Sequence, residues 1–112
     1  MRALINGSLD RVVWAKGTDN TALVLLMNDD GSPLTLTGGA VDLVVYDRSD
    51  RLNAAIATHS GDALTSATGG LATVTVARTE LTYGPSDYYI FARFTTSGAL
   101  VYFSTPYVLH IA

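Results

Sequence analysis

The chain has 112 residues, a formal net charge of -3 and no cysteine. That length fits one domain and is short for two, and without cysteine neither a disulfide framework nor a thiolate metal site is open to it. Hydrophobic residues make up 48% and charged residues 15%, against about 25% charged in typical domains; the deficit means either apolar surface covered by another chain or a surface dressed in Thr, Ser, Gly and Asn.

Six arginines and one lysine are scattered along the sequence. They make no basic stripe, which argues against electrostatic nucleic-acid binding. The N-terminus lacks the apolar run of a signal peptide, because Asn6, Gly7 and Ser8 break it. The longest apolar run, 22–27, is far below the ~20 residues that cross a bilayer. A soluble, non-exported chain is therefore expected, with no membrane partner.

Apolar positions alternate at period two between clusters of Gly, Asn, Asp, Ser and Pro, the pattern of an all-β chain. Residues 1–10 read as a flexible segment and 11–112 as the domain. The first strand covers 11–16, around Val12 and Trp14, and Gly17 to Asn20 turns it. Residues 21–28 form a continuous apolar run, expected to be buried on both faces. Asn28 to Pro33 is a strong turn, since Gly31 is free to take positive φ and Pro33 lacks a ladder donor. After 34–37 and the Gly38-Gly39 bend, strand 40–47 sends Val41, Leu43 and Val45 to one face and Asp42, Val44 and Tyr46 to the other. Asp47 to Arg51 is a solvated loop tip, 52–58 a weaker Ala-rich strand, and His59 to Asp62 a turn.

The Ala- and Thr-rich stretch 62–70 reads as a mobile loop. Strand 71–78 follows, then a single helical turn at 79–82 capped by Thr79. Strand 87–96 is the clearest, with Tyr88, Ile90, Ala92 and Phe94 opposing Tyr89, Phe91, Arg93 and Thr95. Ser97-Gly98 turns into 99–105. Pro106 requires an edge position or a bulge, and 107–111 ends the domain. About seven short strands at this spacing predict an antiparallel β-sandwich of the immunoglobulin-like type, or a small barrel.

Chemistry is sparse. His59, Ser60 and Asp62 supply triad residue types, but triads are spatial arrangements and this run is better read as a turn. Asp29-Asp30 and Asp47/Asp50 lack calcium-loop spacing, and the two histidines are too far apart in sequence for a zinc site. No catalytic residue, cofactor or metal is assigned. Seven aromatics, Tyr88, Tyr89, Phe91, Phe94, Tyr102, Phe103 and Tyr107, fall on the last two strands. One face of that hairpin belongs to the core. The other is either a cross-strand stabilising cluster or a platform for a sugar or a partner.

The run DDGSPLTLTGGAVDLVVYDRSD, then GGLATVTVARTELTYGPSDYYIFARF and TTSGALVYFSTPYVLHI, resembles the immunoglobulin-like modules of tailed-bacteriophage virion proteins, notably the N-terminal domain of the baseplate upper protein family. The resemblance rests on Asp30-Gly31, Leu36-Thr37-Gly38, 70–76, Leu81, Gly84, Tyr88-Tyr89 and Ser97-Gly98. It implies a non-enzymatic virion structural protein, made in the host cytoplasm. In that family the module precedes a receptor-binding or fibre region absent from this sequence, so a free-standing form looks like a capsid decoration protein or a tail, neck or baseplate adaptor. Its partners would be the major capsid protein or tail subunits, and it would form a symmetric homo-oligomer, for which a trimer is one arrangement. The candidate interface is Leu4, Ile5, Tyr89, Phe91, Tyr102 and Tyr107, with 1–10 docking on a neighbour as an added strand. The second reading is a carbohydrate- or host-receptor-binding module that uses Tyr and Asp at loop tips.

Overall fold

In the computed structural model, which describes residues 1–8, 10–61 and 63–112, the chain enters two sheets before Ala15. Strand β1 (Arg2–Ile5) pairs antiparallel with β3 (Asn20–Met27), and β2 (Arg11–Trp14) pairs parallel with β10 (Tyr107–Ile111). Asn6 and Gly7 take φ of 51° and 76°, as the tightest hairpin turn requires. Asn6 Oδ1 also accepts the Leu23 amide at 2.8 Å. The start of the chain, expected to be flexible, is thus held in a sheet, and Ala3 and Ile5 are core residues. Asn6-Gly7-Ser8 redirects the chain; it does not loosen it.

The other strands are β4 (Ala40–Tyr46), β5 (Ala57–Ser60), β6 (Ala63–Ser66), β7 (Leu71–Val76), β8 (Asp87–Thr95) and β9 (Val101–Phe103). The first sheet has the order β1-β3-β7-β6; the second has β2-β10-β8-β4-β5, with β9 also joined to β8. An opening strand divided between the sheets, with this order in each, makes the protein an all-β, immunoglobulin-like sandwich. Alternation along each strand turns Val24, Leu26, Ala72 and Val74 of the first sheet inward, and Leu43, Val45, Ile90 and Leu109 of the second, forming one buried core.

Several boundaries differ from the sequence reading. Residues 47–56 form no strand; pairing starts at Ala57 and includes His59 and Ser60, which were expected in a turn. Within 62–70, expected to be a loop, Ala63–Ser66 pairs with β7, while Asp62 lies outside the described residues. The helical turn is a 3-10 turn at Arg78–Glu80. Its leading amide, that of Ala77, is bound by the Glu80 carboxylate at 3.2 Å, with Thr79 taking no part.

Pro106 falls at the break between β9 and β10. There Ala92 donates to Ser104 Oγ at 3.0 Å, and Ser104 donates back to the Ala92 carbonyl at 2.9 Å. One extra residue is thereby taken up before Tyr107 pairs with Ile90.

Tyr88 ties down the entry to β8. Its hydroxyl donates to the Gly84 carbonyl at 2.6 Å, the tyrosine corner of this fold class. Two residues on, where antibody domains carry a cysteine, stands Ile90, which is fully buried. Apolar packing and this corner do the work that a disulfide does in those domains.

Candidate functional site

The outer face of the first sheet is the least explained surface. Register places Leu4 opposite Leu25 and Leu25 opposite Leu71, a row across three strands. Leu23 stands beside it at 45% exposure, and Met27 is half-buried at the end of β3. Arg2 is the one charged residue in the four strands of this sheet. Residues 21–28 were expected to be buried on both faces. In fact Ala22, Val24 and Leu26 are buried, while Leu23 on the other side is open.

The second sheet treats its outer face differently. Val44 and Phe91 point away from the core yet are 1% and 2% exposed. The strap 47–56 lies against this face: the Arg51 guanidinium sits 3.9 Å from the Phe103 ring centre and 5.2 Å from that of Phe91. Phe91 also meets Tyr46 and Phe103 edge-on. Beside them Arg93 pairs with Asp42 at 2.8 Å. The strap holds its own shape through Arg48 with Asp50, and Asn53 with Asp47. The Arg48 pair keeps the Asp50 carboxyl below its ordinary value.

Of the candidate interface residues, the fold brings three inside. Ile5 and Tyr107 belong to the core, with the Tyr107 hydroxyl donating to the Ala3 carbonyl, and Phe91 lies under the strap. These three are corrections to the expected interface, because a buried side chain offers no surface to a partner. Leu4 and Tyr89 are half-buried on the outer faces of the first and second sheets. Tyr102, on β9, is 48% exposed. The six residues do not converge on one patch.

His59 points into the core, while its neighbour Ser60 is exposed, so the triad run is divided by strand alternation. The ring lies edge-on to Trp14, with Nε2 2.9 Å from the Tyr83 hydroxyl and Nδ1 3.5 Å from Glu80. Burial pushes His59 below its ordinary value, partly opposed by Glu80, and burial pushes Tyr83 up. Burial thus favours the neutral form of both groups, and their rings pack against Trp14 and Tyr88. The loop aspartates are likewise engaged: Asp30 accepts the Ser32 hydroxyl at 2.6 Å, which lowers its carboxyl. Among the described residues no cluster of metal-ligating side chains forms.

A cleft of about 400 Å³ opens at the end of the sandwich where the 28–39 loop meets the β8–β9 turn. Its walls are Leu34, Phe94, Tyr102 and the Met1 side chain; Asn28, Asp29, Thr35 and Thr96 edge it. The Asn28 amide is bound to Ser32 and Pro33, and the Thr96 hydroxyl to the Leu100 amide. In sequence the pieces lie apart; Asp29, Phe94 and Tyr102 were each singled out there, but for other reasons and never together.

No protein-family model matches the chain, and no curated protein matches it in sequence. Among solved structures it is similar to the fibronectin(III)-like modules of Clostridium thermocellum CbhA, at 11% identity and a TM-score of 0.49, over 98% of this chain and 45% of that one. The chain thus spans less than half the length of that structure.

Proposed function

We propose that the chain is a non-enzymatic assembly module: a bacteriophage virion structural protein that binds other virion subunits, as a capsid decoration protein or a tail or baseplate component. The observation that carries this reading is the open face of the first sheet, where Leu4, Leu23, Leu25 and Leu71 form an apolar surface with Arg2, on the edge strand, as its one charged residue. A sheet face of this composition gains free energy when it is covered, at roughly 25 cal/mol per Å² of apolar area. The phage assignment is supported by the sequence resemblance alone. The partner is another virion subunit, or a further copy of the chain in a symmetric oligomer.

Mechanistically, a lattice neighbour would cover Leu23 and the leucine row. The test is co-sedimentation with virions, comparing the native chain with Leu23→Lys. Leu23 already points to solvent, so the variant is expected to fold with an unchanged circular dichroism spectrum and melt. It should lose particle binding by about tenfold or more, as expected for burying an unpaired charge. Equal binding of the two chains would refute the use of this face.

A further inference from the structure

We infer that the cleft between the 28–39 loop and the β8–β9 turn is a pocket for a single uncharged sugar ring, a binding activity separate from the assembly face. Its composition makes the case. Tyr102 turns a half-exposed ring to the cleft, backed by Phe94 and Leu34, and an aromatic ring of this kind accepts the C–H face of a pyranose. Three polar groups around it have no partner among the described residues: the Tyr102 hydroxyl, the Thr35 hydroxyl, and the Asp29 oxygen left over after the other meets the chain's amino terminus at 3.3 Å.

A purely apolar occupant would desolvate those groups without satisfying them, at a penalty. A ring with hydroxyls on its rim satisfies them, because the carboxylate accepts from a sugar O–H and the two hydroxyls donate or accept as needed. Among the described residues no Lys, Arg or His side chain lines the cleft. The cation beside it, the Met1 amino group, is already paired with Asp29, so a phosphorylated, sulfated or carboxylated ligand would find no unpaired counter-charge and would meet the Asp29 carboxylate, which selects the neutral ring. At about 400 Å³ the space lies at the small end of ligand pockets.

The test is saturation-transfer NMR on the full chain with methyl glycosides of glucose, galactose and mannose, and with methyl glucuronide as the charged comparator. At least one neutral glycoside is expected to bind saturably with a millimolar dissociation constant. Tyr102→Ala should weaken that binding by about tenfold, whereas Tyr102→Phe, which keeps the ring, should retain most of it. Thr35→Val gives a second arm at an exposed position, with a smaller loss expected. The inference is overturned if no neutral glycoside binds saturably, if Tyr102→Ala binds as the native chain does, or if the glucuronide binds as tightly as the neutral ligands.

Discussion

The strap over the second sheet yields the most quantitative test of how this chain manages exposed aromatic surface. Arg51 holds φ at 56°, in the left-handed region, while its guanidinium lies 3.9 Å from the centre of Phe103 and 5.2 Å from that of Phe91. A cation over a ring at a solvent-facing site contributes about 0.5–1 kcal/mol, with Phe103 the closer partner. Arg51→Ala is therefore expected to destabilise the fold by about 1 kcal/mol, a drop in melting temperature of about 5 °C for a domain of this size. A double-mutant cycle of Arg51→Ala with Phe103→Leu isolates the pair, and its coupling should be about 0.5–1 kcal/mol. The assay is urea unfolding followed by Trp14 fluorescence, in which the midpoint shifts at constant slope. Repeating the cycle in about 1 M salt separates this contact from the exposed Arg48–Asp50 ion pair, which salt screens. A coupling indistinguishable from zero would refute the strap as an energetic cover.

Two further outcomes follow from the core. His59 is held below its ordinary value of 6.5 by burial, so as pH falls the unfolded chain takes up the proton first. Its contribution to stability is full above about pH 6.5 and is lost as pH drops toward the lower folded-state value. Urea midpoints should therefore fall between pH 7 and 5, and His59→Gln, which cannot titrate, should flatten that segment; an equal slope in both proteins would contradict the assignment. Tyr88→Phe removes the donor to Gly84 and should lower stability by about 1 kcal/mol. That is readable as a melting temperature reduced by about 5 °C, and an unchanged melt would remove the corner from the account.

How far the sequence disclosed this fold depends on where polar residues marked a phase. In β4 and β8, Asp42 and Arg93 fall between apolar residues, so alternation grouped Leu43 with Val45, and Ile90 with Phe94, on one face of each strand; the fold turns those faces inward. In β3 the same rule had nothing to work on, because Leu23 and Leu25 are as apolar as Val24 and Leu26. Only the pairing with β1 and β7 distinguishes the open face from the core. Strand β1 was missed because Asn6-Gly7-Ser8 reads as a breaker until its hydrogen bonds to β3 are known. Alternation set Phe91 on the face opposite Ile90 and Phe94, but its burial there depends on Arg51, a residue brought to it by the tertiary fold. His59 was taken as a turn residue because its partners Trp14 and Tyr83 are distant in sequence. The cleft was illegible for the same reason, its walls coming from four separate parts of the chain.

The assembly role stands or falls on whether the open face of the first sheet is covered in the particle. Hydroxyl-radical footprinting of the free chain and of the chain in intact virions measures this directly, since Leu and Met side chains report their own solvent access. In an assembly module of this kind, Leu23, Leu25, Met27 and Leu71 are labelled in the free chain and protected in the particle. Equal labelling of these four residues in both states, or absence of the chain from purified virions, would contradict the assembly role.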